Sequence, residues 1–306
     1  MTFARSGILV VDKAGGITSA DVVGIVRRAL RCRRVGHAGT LDPDATGVLP
    51  ILIGEATKLM PYLVDQDKEY RVTAQFGVTT DTHDRSGRVL STALVEDLDR
   101  SQVEDAVAPF VGRIRQVPPM YSALHHAGTR LYELARAGVE VEREPREVVI
   151  HDIVVEDVSG ATATLRIVCG KGTYMRVLVA EVGARLGAGA VVDRLIRTRV
   201  GPFSLDTAVS STEVTVEGEA AWRRVLPPDA ALGVWPKLHL DVPAAASFTH
   251  GQSVTADVAM ASSGRFAAVY DRWGFLGIGE ISGAEPRVRP VRILHANRPG
   301  TRVLPV

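Results

Sequence analysis

Residues 36–50 read Gly36-His37-Ala38-Gly39-Thr40-Leu41-Asp42-Pro43-Asp44-Ala45-Thr46-Gly47-Val48-Leu49-Pro50, and Ile51-Leu52-Ile53 follows at once. The first part has the composition of a loop, with glycines, small polar residues, one histidine and an Asp-Pro pair. The second part is a continuous apolar run, the pattern of a strand buried on both faces. Their junction sets one carboxylate, Asp42, at the mouth of a core strand. That placement suits a nucleophile or base. The plain alternative is an ordinary turn.

Working outward, Gly7-Ile8-Leu9-Val10-Val11-Asp12 reads as a second buried strand. Thr18-Ser19-Ala20-Asp21 has the form of a capping box. The helix it opens carries Val22, Ile25, Val26, Ala29 and Leu30 on its apolar face. Arg27, Arg28, Arg31, Arg33 and Arg34 close that helix, where positive charge suits the C-terminal dipole. Downstream, residues 69–78 read as a strand, and a polar loop follows through Asp81, His83, Asp84 and Gly87. Residues 101–111 read as a helix. Pro118-Pro119 breaks the chain, and a short helix from Leu131 to Ala137 stops at Gly138. Alternation over Thr162–Ile167 predicts a strand. Met175–Leu186 predicts a helix ended by Gly187. Pro227-Pro228 and Trp235-Pro236 bracket a linker. Beyond it, alternation at Leu238, Leu240 and Val242 and short strands at 252–258, 265–270, 275–280 and 287–293 predict a small β-barrel docked on the first domain. Residues 206–234 give no clear signal. No internal repeat is visible.

The chain has 306 residues, 46% of them hydrophobic and 23% charged, which are globular values. Its net charge of +1 says little, but its distribution says more. The arginines at 27–34 and a second group, Arg287, Arg289, Arg292, Arg298 and Arg302, form two basic zones suited to a polyanion. A solvated helix face and a basic tail account for them equally well. The two cysteines, Cys32 and Cys169, form no disulfide framework and share no metal-ligand spacing with histidine. A phosphate-binding loop and a dinucleotide fingerprint are missing, so no cofactor and no metal are expected. No signal peptide or membrane-length apolar run is present, and a cytoplasmic protein is expected.

Four motifs occur in order: Val10-Val11-Asp12-Lys13 with Gly16-Ile17-Thr18-Ser19; Gly36–Pro43 with Ala45-Thr46-Gly47; Tyr70-Arg71-Val72; and Lys171-Gly172-Thr173-Tyr174-Met175-Arg176. Together they resemble the bacterial tRNA pseudouridine-55 synthases of the TruB type over residues 7–205. The resemblance departs from the family at Ala14, where a proline is usual. The C-terminal part is similar to the family's PUA domain only in position and strand count. The resemblance implies an α+β fold, in which a large, mainly antiparallel mixed sheet flanked by helices forms a catalytic domain over 1–230. It implies an RNA-clamping insertion at 119–139 and a PUA-like RNA-binding β-barrel at 236–306.

The implied reaction breaks the N1–C1′ bond of a uridine, turns the uracil over and joins C5 to C1′. It is redox-neutral and requires no cofactor. Asp42 matches the family's catalytic aspartate. It must act as an anion in a dry pocket, so a cation must sit beside it. Arg176 matches that partner, and a guanidinium pairs with a carboxylate through two bonds. Tyr70 matches the ring that stacks on the target base. Tyr174 and Leu195 complete the pocket. His37 resembles the histidine that fills the gap left by a flipped base. Lys13, Arg33, Arg34, His125, His126 and Arg130 are assigned to RNA contact, with Lys13 alternatively supporting the active-site loop.

The implied substrate is the T-arm stem-loop of tRNA, bound by a monomer without guide RNA and without a membrane. A tRNA-folding helper is the competing reading from another class, and intact Asp42, Arg176 and Tyr70 favour the enzyme over it. The guide-RNA-dependent branch is disfavoured by the 119–139 segment, with Tyr121, His125, His126, Arg130 and Tyr132. Ribosomal-RNA pseudouridine synthases usually carry arginine directly before the Leu-Asp pair; here that residue is Thr40.

Overall fold

The computed structural model describes residues 5–233, 235–256, 265–282 and 287–294. Its centre is the Thr46–Ile53 strand, buried along nearly its whole length. It pairs antiparallel with the Gly7–Lys13 strand on one side and parallel with the Ala190–Val200 strand on the other. Strands covered on both faces read as continuous apolar runs, which is why the Val48–Ile53 segment was legible. From there the ten-stranded sheet continues through Lys68–Phe76, Thr162–Cys169, Arg146–Ser159 and Gly112–Gln116. The Val209–Ser210 strand adds to the opposite edge, parallel to Gly7–Lys13. The fold is α+β with a mixed, mainly antiparallel sheet, as expected.

Local chemistry matches several of the predicted boundaries. Thr18 and Asp21 form a reciprocal capping box at the start of the Ser19–Ala29 helix, with Arg27 and Arg28 in its last turn. The helix predicted at 101–111 ends at Val107, because Pro109 turns the next residues into a 3-10 turn over Ala108–Phe110. The Met175–Arg185 helix packs Leu178, Val179 and Val182 into the apolar cluster beneath the sheet, with Tyr70, Val72 and Leu165.

The Ala190–Val200 strand was not read from the sequence. Three of its residues are arginines, and bulges shift its register on the Lys68–Phe76 strand after Val192 and after Arg197. Bulges re-aim side chains next to active sites. Here they break the alternation that sequence reading relies on. The silent 206–234 stretch holds a capped helix, Ser211–Glu217, and two 3-10 segments.

The C-terminal strands form a curled five-stranded sheet in the order Lys237–His239, Phe266–Asp271, Gly274–Ile281, Arg287–Ile293, Val254–Thr255. A helix, Val242–Thr249, replaces the alternation predicted there. Asp241 caps it by accepting from the Ala244 N–H at 2.8 Å, and Pro243 sits in its first turn. This sheet packs on the first through Ala268, Ile278 and Leu294 against Val200, Phe203 and Leu232. The rings of Tyr62, Trp235 and Phe266 meet at the same seam. Of the second basic zone, Arg298 and Arg302 lie outside the described residues. No described helix is long and apolar enough to cross a membrane.

Candidate active site

The loop from Gly39 to Val48 is held from beneath by side chains that donate to its carbonyl groups. Arg197, 1% exposed, donates from Nε to the Val48 carbonyl at 2.8 Å, and from its two terminal nitrogens to Gly39 at 3.0 Å and Thr40 at 3.4 Å. Lys13, with no exposed surface, donates to the carbonyls of Pro43 and Ile17 at 2.7 Å and of Ala14 at 2.8 Å. Ser19 Oγ accepts from the Leu41 N–H at 3.0 Å and donates to its carbonyl at 3.2 Å. Gly47 has φ +104°, and a Cβ there would lie 2.2 Å from the Arg197 carbonyl oxygen. Only glycine fits that crossing. The backbone around Asp42 is thereby fixed on both sides.

Asp42 lines a small, open cleft together with Asp44, Asp84, Arg85, Arg176, Asp193 and Leu195 among others. Its side chain is 41% exposed, while that of Arg176 is 6% exposed. Arg176 Nε donates to Asp42 Oδ2 at 2.8 Å and Nη2 to Oδ1 at 3.3 Å, a two-point pairing. Its terminal nitrogens also donate to the Thr82 carbonyl at 2.8 Å and the Tyr121 carbonyl at 2.7 Å, and Asp84 lies 3.8 Å away. Arg176 thus ties three chain segments together around one carboxylate. The geometry can present an anion with a fixed orientation to a ligand entering from solvent.

Asp42, Arg176 and Leu195 meet in the cleft. Tyr70, 9% exposed, lies in the apolar cluster that also holds Leu41 and Ala45. Burial pushes its phenol up, while the Arg197 guanidinium pulls it back down. Tyr174 caps the Met175–Arg185 helix, and Gln116 accepts its N–H at 3.0 Å. Its phenol is pushed up by burial and eased by Ser122.

His37 ends the Val35–His37 strand, and its Nδ1 is buried without a hydrogen-bond partner. Burial, then Arg197, lowers its pKa, so the ring is neutral. His125, His126 and Arg130 lie exposed on a two-stranded hairpin. Arg33 is exposed, and Arg34 is paired with Glu55 at 2.6 Å.

Of the two roles expected for Lys13, the geometry favours loop support: its ammonium group donates to the carbonyls of Ala14, Ile17 and Pro43. Arg197 was missed because it follows a bulge and reads as one of several surface arginines. Asp84 and Arg85 were missed as site residues because their loop comes from a distant hairpin.

The sequence pattern described as "TruB family pseudouridylate synthase (N terminal domain)" matches residues 27–175, and that described as "Pseudouridine synthase II TruB, C-terminal" matches residues 236–294. A protein of Dechloromonas aromatica named tRNA pseudouridine synthase B is 46% identical over 275 residues, covering 90% of this chain and 91% of that one. The chain belongs to the TruB family of pseudouridine synthases. A second TruB-family relative, from Pseudomonas fluorescens and of the same name, is 45% identical over 297 residues, covering 95% of this chain and 96% of its own length. Among solved structures, the chain is similar to one titled "Crystal Structure of a Cbf5-Nop10-Gar1 Complex", with TM-score 0.70 and 23% identity over 95% of this chain and 84% of that one. That likeness shows a shared fold. As a TruB-family pseudouridine synthase, the chain isomerises uridine to pseudouridine.

Proposed function

We propose that the protein converts a uridine in the T-loop of tRNA, position 55, to pseudouridine, with Asp42 as the catalytic carboxylate. The carrying observation is the contrast between Asp42, partly open to the cleft, and Arg176, buried and bonded through all three of its nitrogens. A merely structural ion pair has no need to leave its carboxylate open to solvent in a cleft. The relatives' name, tRNA pseudouridine synthase B, supplies the substrate class.

A uridine stacked in a folded loop must be extruded before a carboxylate reaches its ribose, at a cost of a few kcal/mol. His37, a neutral flat ring, enters the vacated stack and offsets part of that cost. Tyr70 stacks on the extruded uracil and Leu195 walls it. Tyr174 closes the pocket over them. The N1–C1′ bond then breaks, the uracil turns, and C5 bonds to C1′. The C5 proton leaves to solvent and N1 gains one, so no redox partner or cofactor enters the balance. Arg176 holds Asp42 in place through these steps.

The exposed hairpin with His125, His126 and Arg130 belongs to the 119–139 clamp over the RNA. Arg33 and Arg34 contact phosphate. The 236–306 domain adds RNA surface. The enzyme works as a cytoplasmic monomer without guide RNA.

The test is tritium release from a T-arm hairpin whose uridines carry tritium at carbon 5, with wild type and Asp42→Asn side by side. Release by wild type alone is expected, with hairpin affinity held within a few-fold. Turnover by Asp42→Asn overturns the assignment.

A further inference from the structure

The cleft has a charge problem that the proposed chemistry leaves unsolved. Four carboxylates face it, Asp42, Asp44, Asp84 and Asp193, against two guanidiniums, Arg85 and Arg176. Arg176 is buried and its donors are committed to Asp42, Thr82 and Tyr121. An RNA strand brings a negative charge with every nucleotide, and the nucleotide entering the cleft carries phosphates on both sides of its ribose. An opening with excess negative charge repels them.

Arg85 is the cleft guanidinium with donors to spare. Its side chain is 67% exposed, and its one ion pair among the described residues, to Asp193 Oδ1, is 3.6 Å long, beyond hydrogen-bond reach. Such exposed, loose pairs contribute little and release readily. Its backbone, by contrast, is fixed. The Arg85 N–H donates to the Val192 carbonyl at 3.1 Å, and the Val192 N–H to the His83 carbonyl at 3.0 Å. Asp84 Oδ1 closes the turn by accepting from the Ser86 N–H at 3.0 Å and from Thr82 Oγ1 at 2.7 Å. A rigid base with a free charged end is what a phosphate clamp requires, since little entropy is lost in docking it.

Resting on the uridine-in-RNA reading above, we propose that Arg85 is a phosphate-binding residue at the rim of the cleft, held off by Asp193 until RNA arrives and then pairing with the backbone phosphate beside the extruded uridine. A guanidinium matches two phosphate oxygens at once. Asp193 sits on the bulge of the Ala190–Val200 strand, so that strand wall carries both Leu195 for the base and the acidic partner that Arg85 leaves.

The experiment measures T-arm hairpin affinity against salt in the catalytically silent Asp42→Asn background, so that binding is read apart from turnover. Removing one phosphate contact lowers the slope of log affinity against log salt by about 0.7–0.9. Arg85→Ala is expected to show that loss, and Arg85→Lys, which keeps the charge, to retain most of the slope. Asp193→Asn, which frees Arg85, is expected to bind about 2- to 3-fold tighter at low salt. In the active enzyme, Arg85→Ala is expected to raise KM about 3- to 10-fold, with the smaller change in kcat. An unchanged slope in Arg85→Ala, or a lysine variant that behaves like alanine, overturns the proposal. Absence of tritium release by wild type counts against the parent reading alone, since the binding slopes stand without it.

Discussion

Replacing Arg197 by methionine tests whether the cation beneath the loop serves the reaction or only the core. The side chain is 1% exposed and donates to three carbonyls, two at good length and one at 3.4 Å. Charge-assisted hydrogen bonds of this kind contribute about 1.5–3 kcal/mol each. Taking a guanidinium out of water costs several kcal/mol, and methionine removes that cost while filling most of the volume. The two effects largely cancel, leaving a net stability loss of about 1–3 kcal/mol.

The effect on turnover does not cancel. The Gly39, Thr40 and Val48 carbonyls lose their common anchor, and Asp42 lies between them. A displacement of about 1 Å costs about 100-fold in rate, equivalent to about 2.7 kcal/mol of barrier. The assay is steady-state tritium release at saturating hairpin, beside urea unfolding of the same preparation. The expected outcome is a kcat loss of about 100-fold at a temperature where the variant remains folded. A variant destabilised as calculated but with kcat within about 3-fold of wild type would refute the reasoning and leave Arg197 as a core brace.

Gly47→Ala is expected to destabilise the protein by more than about 2 kcal/mol, because φ +104° is strained for alanine and the new Cβ meets the Arg197 carbonyl; urea unfolding checks it. His37→Ala is expected to impair turnover of folded tRNA about 10-fold more than turnover of an unstructured oligonucleotide carrying the same uridine, since only the folded loop has a stack to refill. The pH dependence follows from His37 and His83, whose pKa values burial lowers, with Arg197 and Arg176 respectively adding to the shift. Unfolded histidines protonate first as pH falls through about 6.5, so their contribution to stability is complete above that pH and lost on descending through the lowered folded values. Urea unfolding at pH 7.5 and pH 5.5 is expected to show a smaller acid loss in a His37→Gln, His83→Gln double variant than in wild type.

Much of this site was legible because its parts are local. Asp42 lies in a contiguous loop followed by an apolar strand, and Thr18 and Asp21 announce a helix within four residues. Arg176 and Tyr70 were reached through family motifs, not through periodicity. The unread parts are those where meaning depends on distant partners. Lys13 looks like a loop lysine until the Pro43 carbonyl, thirty residues away, is seen to accept from it. Arg197 sits among Arg194 and Arg199, and only the bulged register separates the buried one from its neighbours. The Val242–Thr249 helix was hidden because Leu238, Leu240 and Val242 alternate, although Asp241 already marked a cap.

The common logic is that the loop of this candidate site turns carbonyl groups toward buried donors. A loop rich in glycine cannot make a regular ladder, so its backbone acceptors need donors from elsewhere. Buried Lys13 and Arg197 supply them, and among the described residues neither is paired with a carboxylate at hydrogen-bonding distance. Two unpaired cations in a protein interior are unfavourable unless something anionic lies close. Asp42 and Asp44 both act on Lys13 from the far side of the loop. The carboxylate that lines the cleft therefore also stabilises the Lys13 cation that holds its backbone. Fixing the loop and charging the cleft are one arrangement, which is why changing Arg197 is expected to reach the chemistry without touching the RNA.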